Sequence, residues 1–185
     1  LIIRGTTLIN EYMKPDLEWK HGKSCWVERD TCMAENKRNE FGEIIPGMAY
    51  RDRSGVYAVI EADGKIAVIN TKDRIFLPGG GLEGEESHHA CLIRECSEEL
   101  GCDVEIAYYI GCASQYLLSF KDGEPLRIIG HVYLVRITGT NNLKIEDDHD
   151  LSWLSPDEAI ASMYVEFQAW AIEEYMRTCS LKKRA

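Results

Sequence analysis

From Phe41 onward the apolar positions come in short phrases separated by polar punctuation. GVYAVIEA (Gly55–Ala62) and KIAVINT (Lys65–Thr71) are runs rich in β-branched residues on either side of Asp63-Gly64, so a hairpin is predicted there. RIFLP (Arg74–Pro78) predicts a short strand that runs into a glycine turn. The period then changes. Ala90, Ile93, Cys96 and Leu100 fall near helical spacing and predict a helix over residues 87–100 with these four as its buried stripe. Ser87 is the predicted N-cap and Gly101 the left-handed stop. Asp103–Phe120 reads as one long strand or two, and residues 121–125 as a turn. Arg127–Thr138 reads as a strongly β-forming, central strand. After a polar, acidic loop (Gly139–Asp150) come LSWLS with Trp153 as an anchor, a short helix opened by Ser155-Pro156, and an amphipathic helix over Val165–Cys179. Helices on both sides of a mixed sheet make the expected fold class α/β, a layered α/β/α sandwich. The domain is expected to span residues 41–180, with residues 1–40 an extension of unclear role.

The chemistry concentrates between Gly80 and Cys102 (GGLEGEESHHACLIRECSEELGC). Glu95, Glu98 and Glu99 share one helix face, because residues three and four apart are neighbours there. Left alone, the cluster is unfavourable: like charges at this spacing cost roughly 0.2–0.5 kcal/mol per pair. The acids also lie toward the helix C-terminus, where the macrodipole disfavours anions. A hard divalent cation removes both objections, since carboxylates, backbone carbonyls and substrate phosphates are the ligands Mg2+ takes. Gly79, Gly81 and Gly84 match a dinucleotide-binding pattern, but Glu83, Glu85 and Glu86 would repel a pyrophosphate held there without a metal. No phosphate-binding P-loop is present. His88-His89 reads as exposed polar surface and His131 as a core or pocket histidine. Glu146, Asp147, Asp148 and Asp150 lack the spacing of a calcium loop.

The spacing G-x5-E-x7-R-E-U-x-E-E-x-G-U, with U usually a bulky aliphatic, resembles the Nudix box of the Nudix hydrolases. Gly80, Glu86, Arg94, Glu95, Glu98, Glu99 and Gly101 stand at its fixed positions, and Cys96 and Cys102 take both U positions. A looser resemblance runs from about Phe41 to the C-terminal helix. It implies a mixed sheet between helices, with the box helix and the loop before it as the active site. It further implies Mg2+-dependent hydrolysis of a pyrophosphate linkage in a nucleoside diphosphate joined to another moiety, with Mn2+ able to substitute. By resemblance Glu98 and Glu99 are metal ligands, Glu95 a ligand or the general base, and the Gly79 carbonyl a further ligand. Arg94 pairs with Glu86 and holds the loop to the helix, and Glu146 from a later loop supplies another ligand or the base. The alternative is a non-catalytic nucleotide-binding or regulatory module, which usually loses box acids that this chain keeps. A prenyl diphosphate isomerase would need a catalytic Cys and Glu outside the box that nothing marks. Tyr116 lies near, but not at, the spacing of the dinucleoside polyphosphate group. Tyr108, Tyr109, Tyr116, Phe120 and Tyr133 could stack a base or serve the core.

Charge and cysteines narrow the rest. The net charge of −10 argues against a nucleic-acid polymer as partner, without excluding a nucleotide substrate beside a metal. No apolar run approaches a membrane span of roughly 20 residues, so no membrane is expected. The seven cysteines are irregularly spaced with no C-x-x-C, and no secretory signal pattern is visible. They read as small buried hydrophobes in a reducing cytoplasm. A homodimer, built with the N-terminal extension, is a further expectation.

Overall fold

The computed structural model describes residues 39–119, 122–141, 143–145 and 149–182. The expectations for the N-terminal extension, Phe120 and Glu146 lie outside them. The strands are β1 (Glu40–Phe41), β2 (Arg51–Ala62), β3 (Lys65–Thr71), β4 (Arg74–Phe76), β5 (Gly79–Gly81), β6 (Cys102–Leu118), β7 (Pro125–Thr140) and β8 (Asp150–Leu154). The helices are α1 (His88–Leu100), α2 (Pro156–Ser162) and α3 (Glu166–Lys182).

The sheet is mixed, in the order β1-β6-β7-β2-β3-β4, with β5 added to β2 and β8 to β3. β7 is central as expected: it runs antiparallel to β6 and parallel to β2, Arg51 facing Leu126 and Ile60 facing Val135. The doubt over Asp103–Phe120 resolves to one long strand, with register shifts between Asp103 and Gly111 that re-aim it. Asp63 and Gly64 both take positive φ, which suits the tight turn between β2 and β3.

Alternation along the strands divides the core in two. Val56, Ala58 and Ile60 of β2, with Ala67 and Ile69 of β3, pack against Cys91, Leu92, Cys96 and Leu100 of α1. Val59, Ile66 and Val68 face the other way, toward Ala159 of α2 and Phe167, Ala171 and Ile172 of α3. Phe167 is fully buried, and truncating such a ring costs about 3–5 kcal/mol. Ser155 forms a full capping box with Glu158, and Pro156 opens α2.

The expected apolar stripe of α1 is only half right. Cys96 and Leu100 are buried, but Ala90 is exposed and Ile93 is 48% exposed. The buried face is Cys91, Leu92, Glu95, Cys96, Glu99 and Leu100. The helix is rotated so that two of its carboxylates point inward. His88 and His89 are half-buried rather than exposed: His88 accepts or donates at Nδ1 to the Tyr133 hydroxyl at 3.0 Å, and its ring stacks obliquely on His131. Cys91, Cys96 and Cys102 are free and buried, the small apolar role expected of them. Cys112 is buried too but is disulfide-bonded, so the free-thiol reading does not extend to it. Among the described residues no helix is long and apolar enough to cross a membrane.

Candidate active site

The glycine run expected as a turn is the short strand β5, paired antiparallel with Gly55–Tyr57 of β2. It sits between β2 and the acidic face of α1. Its glycines let functional side chains come close. Gly79 has φ +133 and donates its N–H to Glu99 Oε2 at 2.8 Å. A Cβ on Gly80 would overlap the Glu95 carboxylate, with 2.7 Å to its carboxyl carbon. The Gly81 carbonyl accepts from Arg94 Nη2 at 3.2 Å.

Helix α1 begins and ends as predicted. Ser87 accepts from the Ala90 N–H, and Gly101 is left-handed at φ 66 with its N–H bonded back into the last turn. Arg94 is the hub of the acidic face. It forks onto Glu86, with Nη2 to Oε1 at 2.8 Å and Nε to Oε2 at 3.3 Å. Nη1 reaches Glu95 Oε1 at 2.9 Å and Glu98 Oε2 at 3.0 Å. One guanidinium thus ties the loop before the helix to two acids on it. The bonds from Arg94 hold the Glu86 carboxyl down at about 2, helped by the Glu83 backbone. The same bond to Glu86 pushes the Arg94 guanidinium up, so this pair stays charged.

Glu95 and Glu99 are only 8% and 4% exposed. Burying a carboxylate is costly unless it is hydrogen-bonded or paired. Glu95 has Arg94. Glu99 has the Gly79 N–H on one oxygen and His149 Nδ1 at 3.0 Å on the other. His149 follows the polar loop after β7, and that loop is stitched to the same helix end by the Ile145 N–H, which donates to the Glu98 carbonyl at 3.0 Å. Tyr57, half-buried in the strand that pairs with β5, packs edge-on against Phe167. Burial first, then the charges of Glu95 and Glu99 against that of Arg53, push its hydroxyl up to about 12. The Cys91 thiol, near the Gly80 and Gly81 carbonyls, is pushed up to about 12, mainly by burial.

A sequence model described as the NUDIX domain matches residues 49–175 of this chain. The chain belongs to the NUDIX family. This NUDIX protein is similar to the CTP pyrophosphohydrolase of Escherichia coli (strain K12): 31% identical over 112 residues, which are 57% of this chain and 77% of that protein. Its fold is similar to that of a NUDIX hydrolase from Nitrosomonas europaea, with a TM-score of 0.59 at 21% identity, covering 69% of this chain and 90% of that one. The Escherichia coli ORF135 protein follows with a TM-score of 0.54 at 27% identity, covering 69% and 91%. In enzyme class the chain is a NUDIX pyrophosphohydrolase.

Of the residues singled out in the NUDIX sequence, the structure brings Gly79, Glu86, Arg94, Glu95, Glu98 and Glu99 into one assembly. Among the described residues no group of three or more His, Cys, Asp or Glu side chains converges at metal-holding positions. The physical reason is visible: Arg94 Nη1 sits between Glu95 and Glu98, while Glu99 is turned to Gly79 and His149. The donors nevertheless fit a hard cation in kind. They are carboxylate oxygens on one helix face, two of them buried enough to demand positive charge. Two neighbours escaped sequence reasoning. His149 stood in an acidic loop with no motif around it, and Arg53 is the third residue of a strand whose pairing with the glycine run is tertiary.

Proposed function

We propose that this protein hydrolyses a pyrophosphate linkage in a nucleoside diphosphate joined to another moiety, with Mg2+ required and Mn2+ able to replace it. The observation that supports this most is the inward-turned acidic face of α1, packed against a glycine strand whose Gly80 leaves room for the Glu95 carboxylate and whose Gly79 N–H bonds Glu99. Such a cost in buried charge is retained where function needs it. The name of the Escherichia coli relative adds cytidine nucleotides, the triphosphate included, to the substrates to be tried.

In this reading Glu98 and Glu99 hold the metal, Glu95 is a further ligand or the general base, and the Gly79 carbonyl completes the donor set. Bound there, Mg2+ would neutralise phosphate charge and lower the pKa of a coordinated water. Arg94 and Glu86 keep the loop and the helix in register, so that the acids meet the substrate at fixed spacing. His149 fixes the orientation of Glu99. Glu146 follows Ile145, whose N–H is anchored on the Glu98 carbonyl, and that anchor supports a role for the loop beside the acids. Water attacks one phosphorus, the bridging P–O bond breaks, and two phosphate-ended products leave.

The test is a panel of nucleoside triphosphates, nucleotide sugars, ADP-ribose and dinucleoside polyphosphates, assayed with Mg2+, with Mn2+ and with chelator. Metal-dependent release of a nucleoside monophosphate from at least one of them is the expected result. Nucleotide binding without turnover across the panel would replace this reading with that of a binding module.

A further inference from the structure

Helix α3 carries a polar side chain that the acidic site does not account for. Gln168 is 1% exposed and is flanked along the helix by Phe167, Ala171 and Ile172, all fully buried. A buried amide is costly unless it is hydrogen-bonded, and an apolar residue would fill the same space without that cost. Its partner is specific: Oε1 accepts the Leu77 N–H at 2.9 Å. Leu77 lies just past β4, the edge strand of the sheet, where pairing with β3 has ended. The junction between α2 and α3 covers that edge. Met163 forms an isolated parallel bridge with Ile75, and the Tyr164 N–H donates to the Ile75 carbonyl at 2.9 Å. Gln168 extends this cover to Leu77 by its side chain.

The chain then runs straight into the acidic site. Pro78 is buried like Leu77, its ring fixes its φ, and its carbonyl accepts the Ala58 N–H at 2.8 Å. Gly79 follows, so close to β2 that a Cβ would overlap the Val56 carbonyl, with its N–H on Glu99 Oε2 at 2.8 Å. Leu77, Pro78 and Gly79 are thus tied in succession to α3, to β2 and to α1. A stiff proline and a glycine wedged against β2 leave little freedom to absorb a shift, so the setting of Leu77 reaches Gly79. The α3 end is itself fixed: the Phe167 N–H donates to Oε1 of the buried Gln115 in β6 at 3.3 Å.

We infer that Gln168 is a positioning residue for the acidic site: through Leu77 it sets Gly79, whose N–H orients Glu99 and whose carbonyl the proposed function counts among the metal's donors. The inference rests on that pyrophosphohydrolase reading and adds to it a residue from the opposite side of the sheet to the box helix.

The experiment uses the full chain. Q168M keeps the length of the side chain but puts a thioether, a weak acceptor, where the amide oxygen stood. Q168N keeps the amide but draws it back from Leu77, and it takes the place of Q168M should that variant not fold. I172V, buried in the same helix, loses one methyl group and leaves the Leu77 bond alone, so it controls for simple loosening of α3. Amide exchange followed by NMR should be roughly tenfold faster at Leu77 and Gly79 in Q168M than in I172V. Mn2+ affinity, read by electron paramagnetic resonance without substrate, should fall roughly ten- to a hundredfold in Q168M, the usual effect of losing a group that orients a metal's ligand. On a substrate found by the panel, kcat should fall with it while KM at saturating metal stays within about twofold. Gly79 exchange and Mn2+ affinity within about twofold of I172V, in a folded variant, would overturn the inference and leave Gln168 an anchor of the fold alone. The enzymatic reading would survive that result, because it stands on the parent's own turnover. A parent with no metal-dependent turnover across the panel would remove the proposed function, and this inference with it.

Discussion

Replacing Arg94 by alanine removes the hub of the acidic face, and the structure allows the cost to be worked out. The side chain is 24% exposed, and its partners Glu86, Glu95 and Glu98 are 16%, 11% and 30% exposed. An exposed pair would contribute under about 1 kcal/mol, whereas stripping one partner from a buried pair costs about 3–5 kcal/mol. These contacts lie between the two limits, and they share one guanidinium, so their losses do not add. A destabilisation of about 2–3 kcal/mol follows, most of it from Glu95 left buried without its cation. In a domain of this size that corresponds to a fall in melting temperature of roughly 5–10 °C. Arg94→Lys keeps the charge but not the fork and should lose about half as much. The assay is a thermal melt at neutral pH in chelator, run on Arg94→Ala, Glu86→Ala and the double variant. Because Glu86 and Arg94 act on each other, the double variant should be much less destabilised than the sum of the singles. A melting temperature for Arg94→Ala within about 1 °C of the parent, or additivity of the two changes, would refute the view of Arg94 as a structural hub.

Three further outcomes follow from the same geometry. Glu98→Gln should lower turnover by about two orders of magnitude or more with little change in stability, since the side chain is 30% exposed; Glu99→Gln should lose comparable activity and also about 1 kcal/mol, because it is buried and carries the bonds to Gly79 and His149. Activity assays beside melts check both, and full activity in the pair would sink the metal-ligand reading. Gly80→Ala should destabilise by roughly 1–3 kcal/mol in denaturant titration, because its methyl must displace the buried Glu95 carboxylate; a neutral result would mean that Glu95 swings aside freely. Glu86 titrates at about 2 in the folded chain against its usual 4.5, so the stability it lends is fully present above 4.5 and is lost as pH falls toward 2. Glu86→Gln should therefore flatten the acid limb of the stability curve in that window, and superimposable curves would contradict the assignment.

Local signals carried much of this protein. Asp63-Gly64, Ser87, Gly101 and Ser155-Pro156 act within a few residues of themselves, through φ preference and capping bonds, so their sequence context was sufficient. The periods of two and of 3.6 located the hairpin, the central strand and the box helix, and the spacing of Glu86, Arg94, Glu95, Glu98 and Glu99 marked residues that the fold brings into one hydrogen-bonded cluster around Arg94 and β5. The face that α1 buries was not decided by that period. Ile93 is the more apolar residue, yet Glu95 and Glu99 go inward, because the glycine strand β5 leaves room for carboxylates and Arg94, Gly79 and His149 supply their partners. Nothing local to α1 encodes those partners. Gly79 lies 20 residues away in sequence and His149 lies 50 away. Sequence by itself determined which residues carry charge and where helices and turns begin; the tertiary structure decided which charges are buried and which are already paired. The division is physical: propensity and capping are short-range, whereas the cost of burying a charge depends on every group the fold brings within a few ångströms of it.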